Sequence, residues 1–377
     1  MAPSAGSPLL LAFSLLFLLL GTIQATSASG MNVIDRCWRR DGNWIRNREQ
    51  LARCSVGYAG KMTNNIGSGT RHYVVTDPSD DPVNPRPGTL RFGATSIRGK
   101  VWITFRKDMV IKLRKPLLVS SFTVIDGRGV NVQIAHGSCL VLYEVSNVII
   151  HGLHIHHCEK PAPGPVLSPK GVINMGALDG DAITLIGSSK VWIDHNSLYE
   201  CHDGLLDVTR GSTDVTVSNN RFMNHDKVML LGHDDQFVLD RKMKVSILFN
   251  HFGPNVNQRI PRVRHGYAHV ANNFYQGWGS YAIGGSMNPR IKSQSNLFVA
   301  PKSGKKEVTW REGNGSGWNW KSVKDIFLNG ARFSQTGARG VAKPGYNRQQ
   351  AFVVGEARNV GALTRSAGVL RCSSRGC

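Results

Sequence analysis

Val191-Trp-Ile-Asp-His-Asn196-Ser-Leu198, Val215-Thr-Val-Ser-Asn-Asn220-Arg-Phe222 and Val245-Ser-Ile-Leu-Phe-Asn250-His-Phe252 are three spellings of one pattern. Two more follow, Val270-Ala-Asn-Asn273-Phe-Tyr275 and Ile291-Lys-Ser-Gln-Ser-Asn296-Leu-Phe298. Each is a short β-rich run with Asn at one fixed place and an apolar residue two positions later. The Asn residues are 24, 30, 23 and 23 apart, and Gly152 of Val148-Ile-Ile-His-Gly152-Leu lies 44 before Asn196, two turns of 22. Short strands returning at such intervals, with no amphipathic helix between them, mark a solenoid of strands. The pattern predicts an all-β chain folded as a right-handed parallel β-helix, its coils stacked at about 4.8 Å, the ordinary strand separation. The Asn column then does more than mark turns. A buried amide at a coil corner can bond to backbone and to the equivalent amide one coil away. After about residue 300 the repeat is expected to fade into irregular structure packed along the outside.

Counting from the ladder Asn turns the repeat into a map. Asp203 lies seven residues after Asn196, Lys227 seven after Asn220, and Arg259 nine after Asn250. Asp181 and Asp179 precede Asp203 by 22 and 24 residues, one coil, and Asp207 follows it by four. The expected order along one face is therefore Asp179 and Asp181, then Asp203 and Asp207, then Lys227, then Arg259 with Arg262 and Arg264. Four carboxylates on adjacent coils repel one another unless a cation neutralises them. An all-oxygen donor set suits Ca²⁺, whereas zinc sites draw on His and Cys. Singly, each Asp-Gly pair here reads as a turn; stacking at one coil period beside a basic cluster favours the metal. His195 and His202 are expected to pack or to touch a ligand rather than act as bases. His154, His156 and His157 lack a matching Cys or carboxylate spacing and read as surface and core residues.

With 46 Lys and Arg against 25 Asp and Glu, the formal net charge of +21 favours a polyanionic partner. The basic residues are dispersed, and no zinc-finger or RNP-like motif occurs, which argues against nucleic acid. The apolar run Leu9–Leu20, followed by small residues around Ala25 and Ala28, has the length of a secretory leader and is too short to span a bilayer. Residues 1–25 are read as a signal peptide, 26–70 as a disulfide-bonded segment capping one end of the solenoid, and 71–377 as the solenoid with its tail. No second long apolar run follows, so a soluble, secreted monomer is expected. Seven cysteines fit an oxidising compartment. Cys37 with Cys54 and Cys139 with Cys158 are the simplest local pairs; Cys372 and Cys377 are able to pair, and Cys201 is left as a buried thiol. Asn314-Gly315-Ser316 is a glycosylation sequon.

Asp179-Gly-Asp181-Ala-Ile, Val191-Trp-Ile-Asp-His195, His202-Asp-Gly-Leu-Leu-Asp207, Lys227-Val-Met-Leu-Leu-Gly-His233 and Gln258-Arg259-Ile-Pro-Arg262-Val-Arg264-His-Gly266 resemble motifs of the plant pectate lyases. The likeness runs from about Cys37 to Pro301, includes Asp81-Pro-Val-Asn-Pro-Arg-Pro-Gly-Thr-Leu90 and Ile125-Asp-Gly-Arg-Gly129, and extends to the related pollen allergens. The resemblance implies a parallel β-helix that cleaves de-esterified polygalacturonan by β-elimination. It implies Ca²⁺ on Asp179, Asp181, Asp203 and Asp207, a catalytic arginine at Arg259, and substrate-binding cations at Lys227 and Arg264, with Arg262 beside them. A guanidinium is ordinarily protonated, so a base role needs cationic neighbours that disfavour its charge. Departures from the family are confined to Gly67-Ser-Gly-Thr-Arg71 and the tail after about 310. Two other readings use the same scaffold. A polygalacturonan hydrolase is opposed by the absence of an Asn-Thr-Asp-Gly motif, and a non-catalytic pectin-binding wall protein by the presence of every Asp and of Arg259.

Overall fold

A computed structural model describes residues 30–313, 317–374 and 376–377. The signal-peptide reading and the sequon at Asn314 fall outside the described residues. The chain forms a right-handed parallel β-helix built from three sheets of eleven, nine and nine strands, nearly all of them parallel. One sheet runs from Arg71–Val75 through Ser189–Asp194, Thr213–Ser218 and Lys244–Leu248 to Asn319–Val323. A second contains Ile183–Ile186, Gly204–Thr209, His225–Leu231, Val256–Gln258 and Arg262–Val263. The third includes Val132–Ala135, His154–His156, Ser197–Tyr199 and Arg221–Met223. Inward side chains such as Val191, Ile193, Leu206, Val208, Val215 and Val217 make one continuous core.

The Asn column forms the predicted ladder. Asn220 Oδ1 accepts from both the backbone N–H and Nδ2 of Asn196, while its own Nδ2 donates to Ile193 O and to Asn250 Oδ1. All four bonds of the buried amide are satisfied, which is the condition for burying it without penalty. The residue before each ladder Asn sits in the left-handed region: His195, Asn219, Phe249, Asn272 and Ser295 have φ between 52° and 58°. Two positions after the ladder residue, Phe222, Phe252, Tyr275, Phe298 and Phe327 stack inside the coil at 4.3–5.5 Å between ring centroids.

The repeat does not end near 300. Strands Thr309–Arg311, Asn319–Val323 and Ile326–Leu328 complete further coils. Asp325 ends the ladder, its Oδ1 accepting from the N–H and Nδ2 of Asn296. An Asp in the Asn position and a 29-residue interval hid this turn. The segment before residue 70 also differs from a lid over one end. Ile34, Trp38, Leu51 and Met62 pack along the outer face of the eleven-stranded sheet, against Trp102, Val124, Ile149 and Trp192. Phe352, Val354 and Leu363 of the tail extend the same layer over Leu248 and Ala271. Those outward-facing apolar side chains attract the segment to the flank, because burying each contributes roughly 1.5–3 kcal/mol. At the first coil the core receives Leu90 and also Ala94, from within the short helical segment Phe92–Ser96. Disulfides join Cys37 to Cys54, Cys139 to Cys158 and Cys372 to Cys377, and Cys201 is free. No helix among the described residues is long and apolar enough to cross a membrane.

Candidate active site

The second sheet carries the site. Its register sets Thr184, Asp207, Leu230 and Arg262 in one outward row across successive coils, with Gly284 and Trp310 continuing it. Gly204, Lys227 and Gln258 form the adjacent row. Strand stacking thus brings residues 78 positions apart, Thr184 to Arg262, onto one strip of surface.

At the acidic end, Asp181 leaves the loop that precedes Ile183 and Asp207 projects from mid-strand. Their Oδ1 atoms flank Gly204: a Cβ there would lie 2.9 Å from Asp181 Oδ1 and 3.0 Å from Asp207 Oδ1. Only the missing side chain at 204 lets the two carboxylates close on one point. Asp181 is held by Thr184 Oγ1, which donates to its Oδ2 at 3.0 Å, and by Gly204 N–H, which donates to Oδ1 at 2.8 Å. Burial, with Asp203 and Asp179 nearby, pushes the Asp181 carboxyl above the usual carboxylate range. Asp207 is pushed well above it, first by burial and then by Asp181, against the opposing pull of Arg259 and Arg264. This is the signature of negative charge held together without sufficient neutralisation.

The other two carboxylates are placed differently. Asp203 is turned toward Lys227, whose Nζ donates to Oδ1 at 2.5 Å. Asp179 is exposed, and its carbonyl, not its carboxylate, is engaged, accepting from His202 Nδ1 at 3.0 Å. Of the four predicted ligands, the fold brings two to one point, holds a third beside them in an ion pair and leaves the fourth at the rim.

The basic side of the strip begins at Arg259, just past the strand Val256–Gln258. Its backbone is left-handed, φ 59°, and its carbonyl accepts from Met229 N–H at 2.6 Å, which fixes the turn on the preceding coil. Ile260, next in sequence, is fully buried, so the arginine is anchored while its side chain stays on the strip. The Nε of Arg259 is buried without a hydrogen-bond partner. Arg264 donates through Nη1 to the carbonyls of Gly232 and His233, both at 2.8 Å. Burial and the neighbouring Arg262 lower its pKa. Arg262 pairs with Glu312 and lies 5.3 Å from the Trp310 ring, which stacks on Tyr281 at 5.1 Å. Arg262, Arg264, Asp235 and Glu312 line an open recess of about 650 Å³.

Thr184, Gly204, Tyr281, Trp310 and Glu312 were not singled out by the coil count. The row would have found Thr184 and Gly204, each one register step from a counted residue, and Trp310, two steps from Arg262, whereas Tyr281 and Glu312 lie outside the paired rows. His195 is not at the site. It is buried on the first sheet, with Nε2 2.7 Å from Asp35 Oδ1 and Nδ1 3.0 Å from Gly368 O. His202 lies at the acidic rim.

A family model described as pectate lyase matches residues 107–322, which include every site position from Asp179 to Glu312. The "Probable pectate lyase 16" of Arabidopsis thaliana is 49% identical over 350 residues, covering 92% of this chain and 88% of its own. "Pectate lyase 1" of Juniperus virginiana is 49% identical over 373 residues, with 97% and 99% covered. Among solved structures, jun a 1, the major allergen from cedar pollen, superposes with a TM-score of 0.87 at 50% identity, covering 90% of this chain and 99% of that one. With the β-helix, the acidic pair and the arginine row already in place, these matches establish that the chain belongs to the pectate lyase family and is a polysaccharide lyase.

Proposed function

We propose that the protein cleaves de-esterified α-1,4-polygalacturonan by Ca²⁺-dependent β-elimination, with Arg259 as the base and Asp181, Asp207, Asp203 and Asp179 as the metal-binding carboxylates. The observation that carries the reading is the cradle at Gly204. Two carboxylate oxygens close on a point that a Cβ would fill, their charges are not offset, and a row of guanidinium groups begins two coils beyond Asp207, past Lys227. A hard cation with oxygen ligands fits that donor set. Held by these carboxylates, Ca²⁺ would supply the positive charge needed to offset the negative charge that develops on a galacturonate carboxylate as its α-proton leaves.

The chain's own residues supply the rest. Arg264, its orientation fixed by two backbone carbonyls through Nη1, presents its remaining N–H groups to the uronate carboxylate. Lys227, whose ammonium Asp203 holds on the strip, offers its remaining N–H groups to the same carboxylate. Arg259, in its neutral form, takes the C5 proton. The C5–H electrons form the C4–C5 double bond as the C4 glycosidic oxygen leaves with its bonding pair and takes a proton from water, giving an unsaturated oligogalacturonide and a second fragment ending in a hydroxyl. The Trp310 ring, 37% exposed at the end of the row, offers a flat face on which a further sugar can rest.

Hydrolysis fits less well. It needs an acid and a water-activating carboxylate on opposite sides of the scissile bond. Asp181 and Asp207 lie together, and Asp235 is engaged by Ser286 Oγ at 2.5 Å. The site residues a binding-only wall protein would be free to lose are all present. Three disulfides favour an oxidising, extracellular compartment, which the leader reading of residues 1–25 would supply. The test is the product. Incubation with polygalacturonate and Ca²⁺ is expected to raise ultraviolet absorbance from the C4–C5 double bond, and chelator is expected to stop it. Reducing ends appearing without that absorbance would indicate hydrolysis instead.

A further inference from the structure

The strip does not stay basic to its end. Past Arg262 the outward row continues through Gly284 to Trp310. The Tyr281 ring takes the place of a side chain at 284, since a Cβ there would lie 2.2 Å from Tyr281 Cε2. Trp310 stacks on that ring with an interplanar angle of 16°, and the Arg262 guanidinium lies against the same indole. The last two coils of the strip are therefore floored by aromatic rings, the Tyr281 ring buried and the Trp310 ring open to solvent.

Carboxylates rim this end. Asp234, Asp235 and Glu312 line the recess beside Arg262 and Arg264, three acids against two guanidinium groups. Their side chains are 52%, 47% and 54% exposed, so each charge faces whatever enters. Both guanidinium groups are already engaged. Arg262 Nη2 donates to Glu312 Oε2, and Arg264 Nη1 donates to two backbone carbonyls, leaving its other N–H groups for the reacting uronate. Glu312 is set beside Arg262 by its own backbone, whose N–H donates to Gly285 O at 2.9 Å. Ser286 Oγ donates to Asp235, which satisfies an oxygen and leaves the charge in place.

The two ends of the strip thus suit two kinds of galacturonate. At the cradle a free carboxylate is needed, a requirement that rests on the elimination reading above. At the Trp310 end a free carboxylate would find no uncommitted guanidinium and would face like charges. A methyl ester carries no charge there and lays an apolar methyl against the indole. We propose that the sugar position formed by Trp310, Arg262 and Glu312 selects a methyl-esterified galacturonate, with Glu312 as the specificity-determining residue. The preferred substrate is then a partly esterified galacturonan, with free acid at the cradle and ester at the far end. Glu312 works by rejection: it occupies Arg262 and adds a like charge against the free acid, and it costs the ester nothing.

The test is kcat/KM for unsaturated product in saturating Ca²⁺, on polygalacturonate and on a partly methyl-esterified galacturonan of matched length. The wild type is expected to favour the esterified polymer several-fold. Glu312→Gln should raise kcat/KM on polygalacturonate several-fold, mainly through a lower KM, and leave the esterified polymer nearly unchanged, so that the preference disappears. Trp310→Ala should do the reverse, raising KM for the esterified polymer more than for polygalacturonate. Unfolding temperatures equal to that of the wild type show that both variants are folded. A wild type that favours polygalacturonate, or a preference that Glu312→Gln leaves unchanged, would overturn the ester assignment while the elimination reading stands. Absence of unsaturated product from either polymer would overturn both.

Discussion

Asp207 shows how one residue serves the site at the expense of the fold. It is held beside Asp181 across a glycine, and its carboxyl is pushed well above the ordinary range by burial and by that neighbour. Asp207→Asn removes one of two like charges, so the metal-free protein should unfold a few degrees higher, about 1 kcal/mol more stable. The rise in unfolding temperature that Ca²⁺ gives the wild type should shrink in the variant. Thermal scans with Ca²⁺ and with chelator measure both; an unchanged Ca²⁺ shift would remove Asp207 from the ligand set. Sequence counting reached Asp207 because it shares a coil with Asp203. It could not tell that Asp203 faces Lys227 while Asp179 stays at the rim, because coil spacing fixes the height of a side chain on the strip and leaves its rotamer open.

At the scale of the elements, the ladder and the flank carry different risks. Asn250→Ala breaks four hydrogen bonds, two accepted from Asn220 and two donated to Val217 O and Asn273 Oδ1, and strands buried partners. The expected cost is about 2–4 kcal/mol by denaturant unfolding. Asp325→Asn, which keeps the Oδ1 that Asn296 uses, should cost less than about 1 kcal/mol by the same measurement. On the flank, His195 donates from both ring nitrogens, to Asp35 and to Gly368 O, and so joins the helix Val33–Trp38 and the tail to the sheet. Burial opposes its charge, but Asp35 and Asp194 outweigh it and raise the pKa above 6.5. A raised histidine stabilises fully below its unfolded pKa and loses that contribution as pH rises through the folded value. The wild type should therefore lose stability above neutral pH, a loss that His195→Gln should not show in unfolding temperature against pH. The ladder was legible because Asn recurs at a fixed offset before an apolar residue even though the coil length varies. The flank was not, because it depends on outward residues such as Trp102 and Trp192 that no repeat of the N-terminal segment announces.

For the whole molecule, the net charge of +21 has no bearing on the fold and a direct one on encounter with a polyuronate. Raising ionic strength from 50 to 500 mM should increase KM for polygalacturonate several-fold while kcat changes little, because screening weakens attraction between exposed charges and leaves the buried cradle intact. A salt-independent KM would assign binding to the local row alone. The parallel β-helix is the reason a carboxylate pair and an arginine row meet at all, since coils of 22–30 residues turn distant sequence into adjacent surface. That claim is tested most directly by Arg259→Lys, assayed for both polygalacturonate binding and unsaturated product in saturating Ca²⁺. Affinity is expected to stay within a few-fold of wild type while product formation falls by about 10²–10⁴. A variant that releases unsaturated product at the wild-type rate would contradict the account.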